Sequence, residues 1–594
     1  MNIPERLEKL KKAMKSAGVQ AYYINTADFH GSEYVNDYFK VRQFFSGFTG
    51  SAGDLVVTEK EVGLWADGRY FVQAEKELSG SGIKLFKMEE EGVPKVEEYL
   101  EENLKKGDTL GFDGRTVRTS YGRKLKDIGK KKGFYLSYKK DLSEGIFKRP
   151  AFPASRAEIL PPEISGRTTP EKLKDVREKL KKAGAESLFL SKLDDIAWLF
   201  NLRGNDVKNN PVLMAYAFVN QGSAWLFLQK EAVSGELEKY AEANGFDLMR
   251  YDEVKNFLKR SSYVCGKILI DPESVSYSIY RMLKKRTDTL IRASSPTVEL
   301  KAVKNPVEIE NMKKVYLKDS LALTRFIKKL TETVSDTEYT EFSASELLAG
   351  FRREIPEFRD LSFETIGAYG ANAAMMHYMP DSENSAVLKS EGMFLVDSGG
   401  QYQGGTTDVT RTIVLGELSA EERKAYTLTA ISNLKLLNAV FLYGCTGRNL
   451  DILAREPMWE QGMDYKCGTG HGVGYILNVH EGPQSFRWKT GGIEAPLEEG
   501  MNITDEPGVY VAGRFGVRIE NVLLVVKDRK TADGQFMRFE NLTFAPIDDK
   551  GIDRSMMSTV ELGRYLNFQK SVYEALSPFL DEEEKEWLKT YSGI

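Results

Sequence analysis

Histidine is nearly missing from this sequence: only four occur in 594 residues. Cysteine is just as sparse. Cys265, Cys445 and Cys467 are odd in number and show no CxxC spacing, which excludes a disulfide framework and fits a reducing compartment. No apolar run approaches the ~18 residues of a membrane span, and the charged, amphipathic opening MNIPERLEKLKKAMKSAG lacks the apolar region of a signal peptide. A cytoplasmic protein without a membrane partner is expected. Nor is there an excess of positive charge: the net charge is -4, which gives no electrostatic basis for nucleic-acid binding. Peptides and small polar substrates stay open.

What is present is a chain too long for one core, so several domains are expected. Residues 6–24 read as an amphipathic helix that breaks at Ala17-Gly18 and feeds a strand. Near residue 170, EKLKDVREKLKKAGAESLFL repeats that plan, with Ala183-Gly184 at the break. Each copy then carries apolar β-branched and aromatic runs, DLVVT and VGLWAD in the first, VLMAYAFVN and SAWLFLQ in the second. Two related α/β domains follow from this internal repeat. The proline-rich RPAFPASRAEILPPEISGRTTPEK reads as their linker, and a second boundary falls near Ser294-Ser-Pro296. The expected division is 1–160, 161–299 and 300–594. The third domain opens on a long amphipathic helix after Asn305-Pro306 and closes on two short helices.

Three of the four histidines, His377, His471 and His480, fall in or just before two segments of that third domain. In the first segment an apolar strand ends at Asp397, a glycine-rich return follows, and a second strand, TTDVTRTIV, carries Asp408. A hairpin would set the two carboxylates side by side. In the second, Gly468-Thr-Gly-His-Gly-Val-Gly474 flanks His471 with glycines that let backbones approach closely. Further on, Glu506 is held extended before Pro507, and Arg518 and Glu520 are expected on one face of a single strand. Each alone reads as structural: a turn-capping Asp, a loop-packing His, a surface Arg-x-Glu pair.

Together they offer four carboxylates (Asp397, Asp408, Glu506, Glu520) and one imidazole, and carboxylates placed this close repel unless cations neutralise them. Four negative charges balance two divalent ions, and an oxygen-rich set suits Mn²⁺, Co²⁺ or Fe²⁺. A pair of such ions about 3.5 Å apart bridges a hydroxide and clamps a tetrahedral intermediate, which is hydrolytic machinery.

With the segments VDSGGQY, GTTDVTRT, GTGHGVG, TDEPG and VRIEN, the sequence resembles the pita-bread metallopeptidases, and over nearly its whole length the three-domain cytosolic Xaa-Pro aminopeptidases (aminopeptidase P). HGSEY, SGFTGSAG, ADGRYFVQA, LDDIAWLFNLRGNDVKNNPV, NAAMMHYMP and IEAPLEEGM extend the likeness. It implies an α/β (α+β) fold with two creatinase-like N-terminal domains before a pita-bread catalytic domain. It also implies two Mn²⁺ per chain on Asp397, Asp408, His471, Glu506 and Glu520, with Zn²⁺ or Co²⁺ as alternatives. Peptides with proline at the second position would be the substrates, and the chain would form a homodimer. By the same likeness His377 and His480 bind substrate and stabilise the intermediate beside His471, Glu506 shuttles the proton, Arg518 orients ligand carboxylates, and Arg69 of ADGRY reaches the peptide. His30 of HGSEY reads as structural. Two neighbouring activities share the motifs: a prolidase-like dipeptidase, whose chains are shorter, and a metal-free binding module, which typically loses ligands. One position departs from the pattern. Where the family usually writes His-Gly-Thr-Gly-His, this chain has Cys467-Gly-Thr-Gly-His471, and a soft thiol biases a site towards Zn²⁺.

Overall fold

The computed structural model describes residues 1–287, 289–489 and 494–594. Ile493, the first residue of IEAPLEEGM, lies outside the described residues. Contact density divides the chain into two compact units, 1–161 with 167–298, and 162–166 with 299–594.

The first unit contains the repeat. Its first half begins with helix Ile3–Ser16 feeding strand Ala21–Asn25; the second begins with Thr169–Lys182 feeding Ser187–Leu190. Each half builds a six-stranded sheet. In the first, Ala21–Asn25 pairs antiparallel with Asp54–Thr58 and parallel with Thr109–Phe112. In the second, Ser187–Leu190 pairs antiparallel with Ala215–Asn220 and parallel with Ile268–Ile270. The strand order is therefore the same in both copies, and the helix–Gly–strand signal marks equivalent positions. Fully buried strands such as Ala224–Leu228 explain why the apolar runs are continuous instead of alternating.

His30 joins the halves as a buried structural residue. One ring nitrogen, Nδ1, lies 2.9 Å from the Ser191 carbonyl oxygen, and the other, Nε2, lies 2.8 Å from the Tyr251 hydroxyl. Burial holds the imidazole pKa below its usual value, against the opposing pull of Asp28.

The second unit opens on helix Pro306–Thr333. Asn305 caps it, its Oδ1 accepting from the Val307 and Glu308 amides at 3.0 and 3.1 Å, while the Glu308 carboxylate accepts from the Asn305 amide. At the centre runs helix Ala420–Leu437, in which every residue from Ala425 to Leu434 is buried. Its sequence shows no apolar stripe because it has no solvent face to mark. Its buried hydroxyls are satisfied locally: Thr427 and Thr429 donate to the Arg423 and Ala425 carbonyls, each at 2.8 Å. The closing helices are Thr559–Leu576 and Glu582–Ser592. The first is longer than the short helix expected, because Tyr565, Phe568, Val572 and Leu576 keep one stripe buried along its length.

The His30 environment generates a prediction about acid stability. The folded pKa is depressed, so as pH falls below about 6.5 the unfolded chain takes up a proton that the folded state resists. The contribution is present above that pH and lost below it. His30→Gln should lower unfolding stability at neutral pH by about 1–3 kcal/mol. It should also remove part of the decline between about pH 7 and pH 5 seen by thermal unfolding. An unaltered pH profile would contradict the buried, neutral imidazole.

Candidate metal centre

Asp397 lies near the end of strand Met393–Ser398, and Asp408 stands just ahead of Val409–Val414. These strands pair antiparallel with Asp397 opposite Thr410. The return between them is more than a hairpin turn: Gly400–Tyr402 and Gly405–Thr406 pair with each other and, through the former, with Phe358–Leu361 in a separate sheet. Gly399 permits this crossing, since a Cβ there would sit 1.9 Å from the Thr407 carbonyl oxygen.

His471 lies on the short strand Gly470–Gly472 and is drawn against the chain that carries Glu506. The His471 amide donates to Thr504 Oγ1 at 2.9 Å and the Glu506 amide to the Thr469 carbonyl at 2.8 Å. Gly470 makes the approach possible, because a Cβ would fall 1.9 Å from the Thr504 carbonyl oxygen. The two motif segments are also tied to each other. Gln401 Nε2 donates to the Leu477 carbonyl at 2.8 Å, and Thr406 Oγ1 accepts from the Leu477 amide at 3.2 Å. Beside this junction Ile476 adopts φ 51°, a left-handed conformation that a β-branched residue holds only at a cost of about 1–3 kcal/mol.

The single strand expected for Arg518 and Glu520 is divided. Phe515–Arg518 pairs with Gly508–Val511, whereas Asn521–Thr531 pairs with Asn502–Asp505, so the chain changes sheets at Ile519-Glu520. Both side chains nevertheless meet at Thr410, whose hydroxyl donates to Glu520 Oε2 at 2.8 Å and accepts from Arg518 Nε at 3.1 Å. Asn433 of the central helix fixes this junction. Its Nδ2 donates to the Asp505 carbonyl at 2.7 Å and its Oδ1 accepts from Asn521 Nδ2 at 2.8 Å, bracing the residue before Glu506 and the residue after Glu520.

The side chains converge. Asp408, His471 and Glu520 each present a ligand atom within 4.8 Å of the others. His471 Nε2 lies 3.6 Å from Asp408 Oδ2 and 3.4 Å from Glu506 Oε1. Arg518 Nη2 donates to Asp397 Oδ2 at 2.6 Å, Arg518 Nη1 donates to the Tyr510 hydroxyl at 2.8 Å, and the buried Oδ1 of Asp397 has no hydrogen-bond partner. The His480 ring stands nearly perpendicular to that of His471, with centroids 4.3 Å apart. His377 follows Met376, whose carbonyl makes a long contact of 3.5 Å with Arg518 Nη2. Arg69 belongs to the first unit, where its guanidinium is forked onto Asp67 through two bonds of 2.9 Å, with Glu33 of HGSEY 4.0 Å away.

Electrostatics set what this arrangement requires. Burial raises the Asp408 carboxyl pKa well above its usual range, and Asp397 and Glu506 raise it further. Glu520 is raised well above its range by burial, then by Asp408, Asp397 and Glu506. Glu506 is raised by burial, although Arg518 and His480 pull it down. Burial works against the Arg518 charge, yet Tyr510, Asp397 and Glu506 together raise its pKa. One guanidinium does not neutralise four carboxylates, so either protons or cations must complete the site. The clustered donor atoms and the orphaned Asp397 oxygen fit divalent cations. Cys467 is half-buried and packs against the apolar cluster that includes Met458, Tyr465 and Val509.

Sequence reasoning missed Thr410, Tyr510, Gln401 and Asn433. Thr410 was within reach, since it lies two residues beyond Asp408 in the same TTDVTRT segment. Thr410→Val, which keeps shape but deletes the hydroxyl between Glu520 and Arg518, should weaken Mn²⁺ binding by about 10- to 100-fold in a calorimetric titration. Unchanged affinity would mean that this hydroxyl does not orient the carboxylate.

Comparison with known proteins agrees with the geometry. Residues 310–527 match metallopeptidase family M24 and residues 535–592 its C-terminal region; residues 6–135 and 148–308 each match a creatinase/prolidase N-terminal domain. The sequence is 36% identical to Xaa-Pro aminopeptidase 1 of Dictyostelium discoideum, covering 99% of this chain and 96% of the relative. It is likewise 36% identical to aminopeptidase P1 of Arabidopsis thaliana, covering 98% of each. The crystal structure of the X-prolyl aminopeptidase from Caenorhabditis elegans, described as a cytosolic enzyme with a di-nuclear active site, superposes with a TM-score of 0.95 at 31% identity, covering 100% of this chain and 99% of that one. The chain belongs to metallopeptidase family M24, within its Xaa-Pro aminopeptidase group.

Proposed function

We propose that the protein is a dinuclear-metal aminopeptidase that releases the N-terminal residue of peptides whose second residue is proline. The observation that carries this reading is the convergence of Asp408, His471 and Glu520, with Glu506 and Asp397 alongside, in one buried, like-charged cluster. Asp397, Asp408, His471, Glu506 and Glu520 are assigned as the residues that hold two divalent cations, with Mn²⁺ preferred. When bound, such ions supply Lewis acidity and a hydroxide nucleophile at neutral pH.

The remaining steps fall to side chains. Glu506 accepts a proton from water and returns it to the departing amine. His377 and His480 donate N–H groups to the substrate carbonyl oxygen as it gains charge, with His471 lining the same pocket. Arg518 holds Asp397 in place through its 2.6 Å bond to Oδ2, and the unpartnered Oδ1 is the oxygen that would serve as a ligand. Arg69 is assigned to the peptide by family likeness alone. The division into 1–160, 161–299 and 300–594, a cytoplasmic location and a homodimer belong to the same reading. The cytosolic relative supports the location, and no helix among the described residues is long and apolar enough to cross a membrane.

Cleavage of Xaa-Pro-Xaa against Xaa-Ala-Xaa peptides tests the specificity. Xaa-Pro-Xaa should be hydrolysed far faster, and faster still with added Mn²⁺. Activity on Xaa-Pro dipeptides alone would make the protein a dipeptidase. A second expectation concerns Cys467: restoring the family imidazole with Cys467→His should raise turnover of the metal-saturated protein, since a thiol at this position cannot take an imidazole's part in proton transfer. Equal or lower turnover would show that this position does not limit the rate.

A further inference from the structure

Glu341 opens helix Glu341–Arg353 and is fully buried, yet its carboxylate serves the chain that carries His377. One oxygen, Oε1, accepts from the Tyr369 amide at 2.7 Å and from Asn372 Nδ2 at 3.0 Å. The other, Oε2, accepts from the Tyr378 hydroxyl at 2.8 Å and from the Ala386 amide at 2.9 Å. The donors therefore come from the start, the middle and the end of a single excursion, Tyr369 to Ala386. Backbone bonds close it at the base, where the Glu341 amide donates to the Ala386 carbonyl at 2.9 Å and the Leu388 amide to the Tyr339 carbonyl at 2.8 Å.

His377 lies inside this excursion with a fixed residue on each side. Tyr378 is bonded to Glu341, and the Met376 carbonyl faces Arg518. A carboxylate is the one side chain of this size that offers only acceptors to four donors. An amide would turn its NH₂ against at least one fixed N–H donor, that of Ala386 or those of Tyr369 and Asn372. The demand for Glu at 341 thus comes from the His377 segment, since the helix start is already capped by Thr340, whose hydroxyl accepts from the Ser343 amide at 3.1 Å.

We propose that Glu341 is a positioning residue for the peptidase reaction: by holding both ends and the middle of Tyr369–Ala386, it sets where the His377 imidazole meets the substrate. This rests on the assignment of His377 as a substrate-contacting residue, and the test separates the two. Steady-state kcat and KM for an Xaa-Pro-Xaa peptide are measured on the full-length Mn²⁺-loaded protein as wild type, Glu341→Gln, His377→Ala and the double variant. Glu341→Gln is expected to lower kcat/KM about 10- to 100-fold, in line with a displacement of ~1 Å at a reacting group. In the His377→Ala background the same substitution should cost little more, because its effect passes through the imidazole. Full activity of Glu341→Gln, or an equal loss in both backgrounds, overturns the role of Glu341 while leaving that of His377 intact. Undiminished activity of His377→Ala overturns the assignment of His377, and the proposal with it. If Glu341→Gln does not fold, Tyr378→Phe, which deletes one donor, takes its place in the cycle: coupling to His377 supports the proposal and additivity overturns it.

Discussion

Everything in the second unit answers to one electrostatic problem, four carboxylates gathered out of water around a single imidazole. Isolated ionised carboxylates in a low-dielectric interior cost several kcal/mol each, so such a group persists only where the fold forces it and a counter-charge compensates it. Arg518 offsets part of the charge through Asp397. Burial first, and then the neighbouring carboxylates, raise the pKa values of Asp408 and Glu520, so the cluster favours protons or divalent cations that neutralise it.

The force that holds the carboxylates together comes from the scaffold behind them. The central helix presents Asn433 to the ends of two strands, and Arg411, fully buried, donates to the Glu520 and Ala545 carbonyls, tying the ligand strand to the C-terminal region. Glycines at 399 and 470 let backbones pass at distances that a Cβ forbids. Close packing of this kind makes the ligand geometry stiff, which suits a site that must not relax when its charges repel, and the left-handed Ile476 stands next to Leu477, through which the two motif segments are bonded. Glu341 applies the same logic to the His377 segment, with a buried acceptor used as an anchor for a loop.

Much of this was legible in the sequence. The repeated helix–Gly–strand pattern located both N-terminal sheets, because short amphipathic helices and continuous apolar strands carry strong local signals. The residues assigned here as ligands stood out because histidine is so scarce that its clustering is informative, and because glycine next to a polar residue marks close approach. What was not legible is long-range. The helix Ala420–Leu437 is buried all round and so lacks the periodicity that reveals a surface helix. The strand containing Arg518 and Glu520 reads as continuous because sequence carries no mark of a change of hydrogen-bonding partner. Thr410, Asn433 and Glu341 are ordinary polar residues whose roles depend on partners from 28 to 110 positions away.

The central claim, that this buried carboxylate cluster is a working two-ion hydrolytic site, is tested most directly by titrating Mn²⁺ into metal-depleted protein while counting bound ions and following Xaa-Pro-Xaa hydrolysis in the same samples. The account predicts two ions per chain, with activity appearing as the sites fill. Less than one ion per chain and no hydrolysis at saturating Mn²⁺ would contradict it.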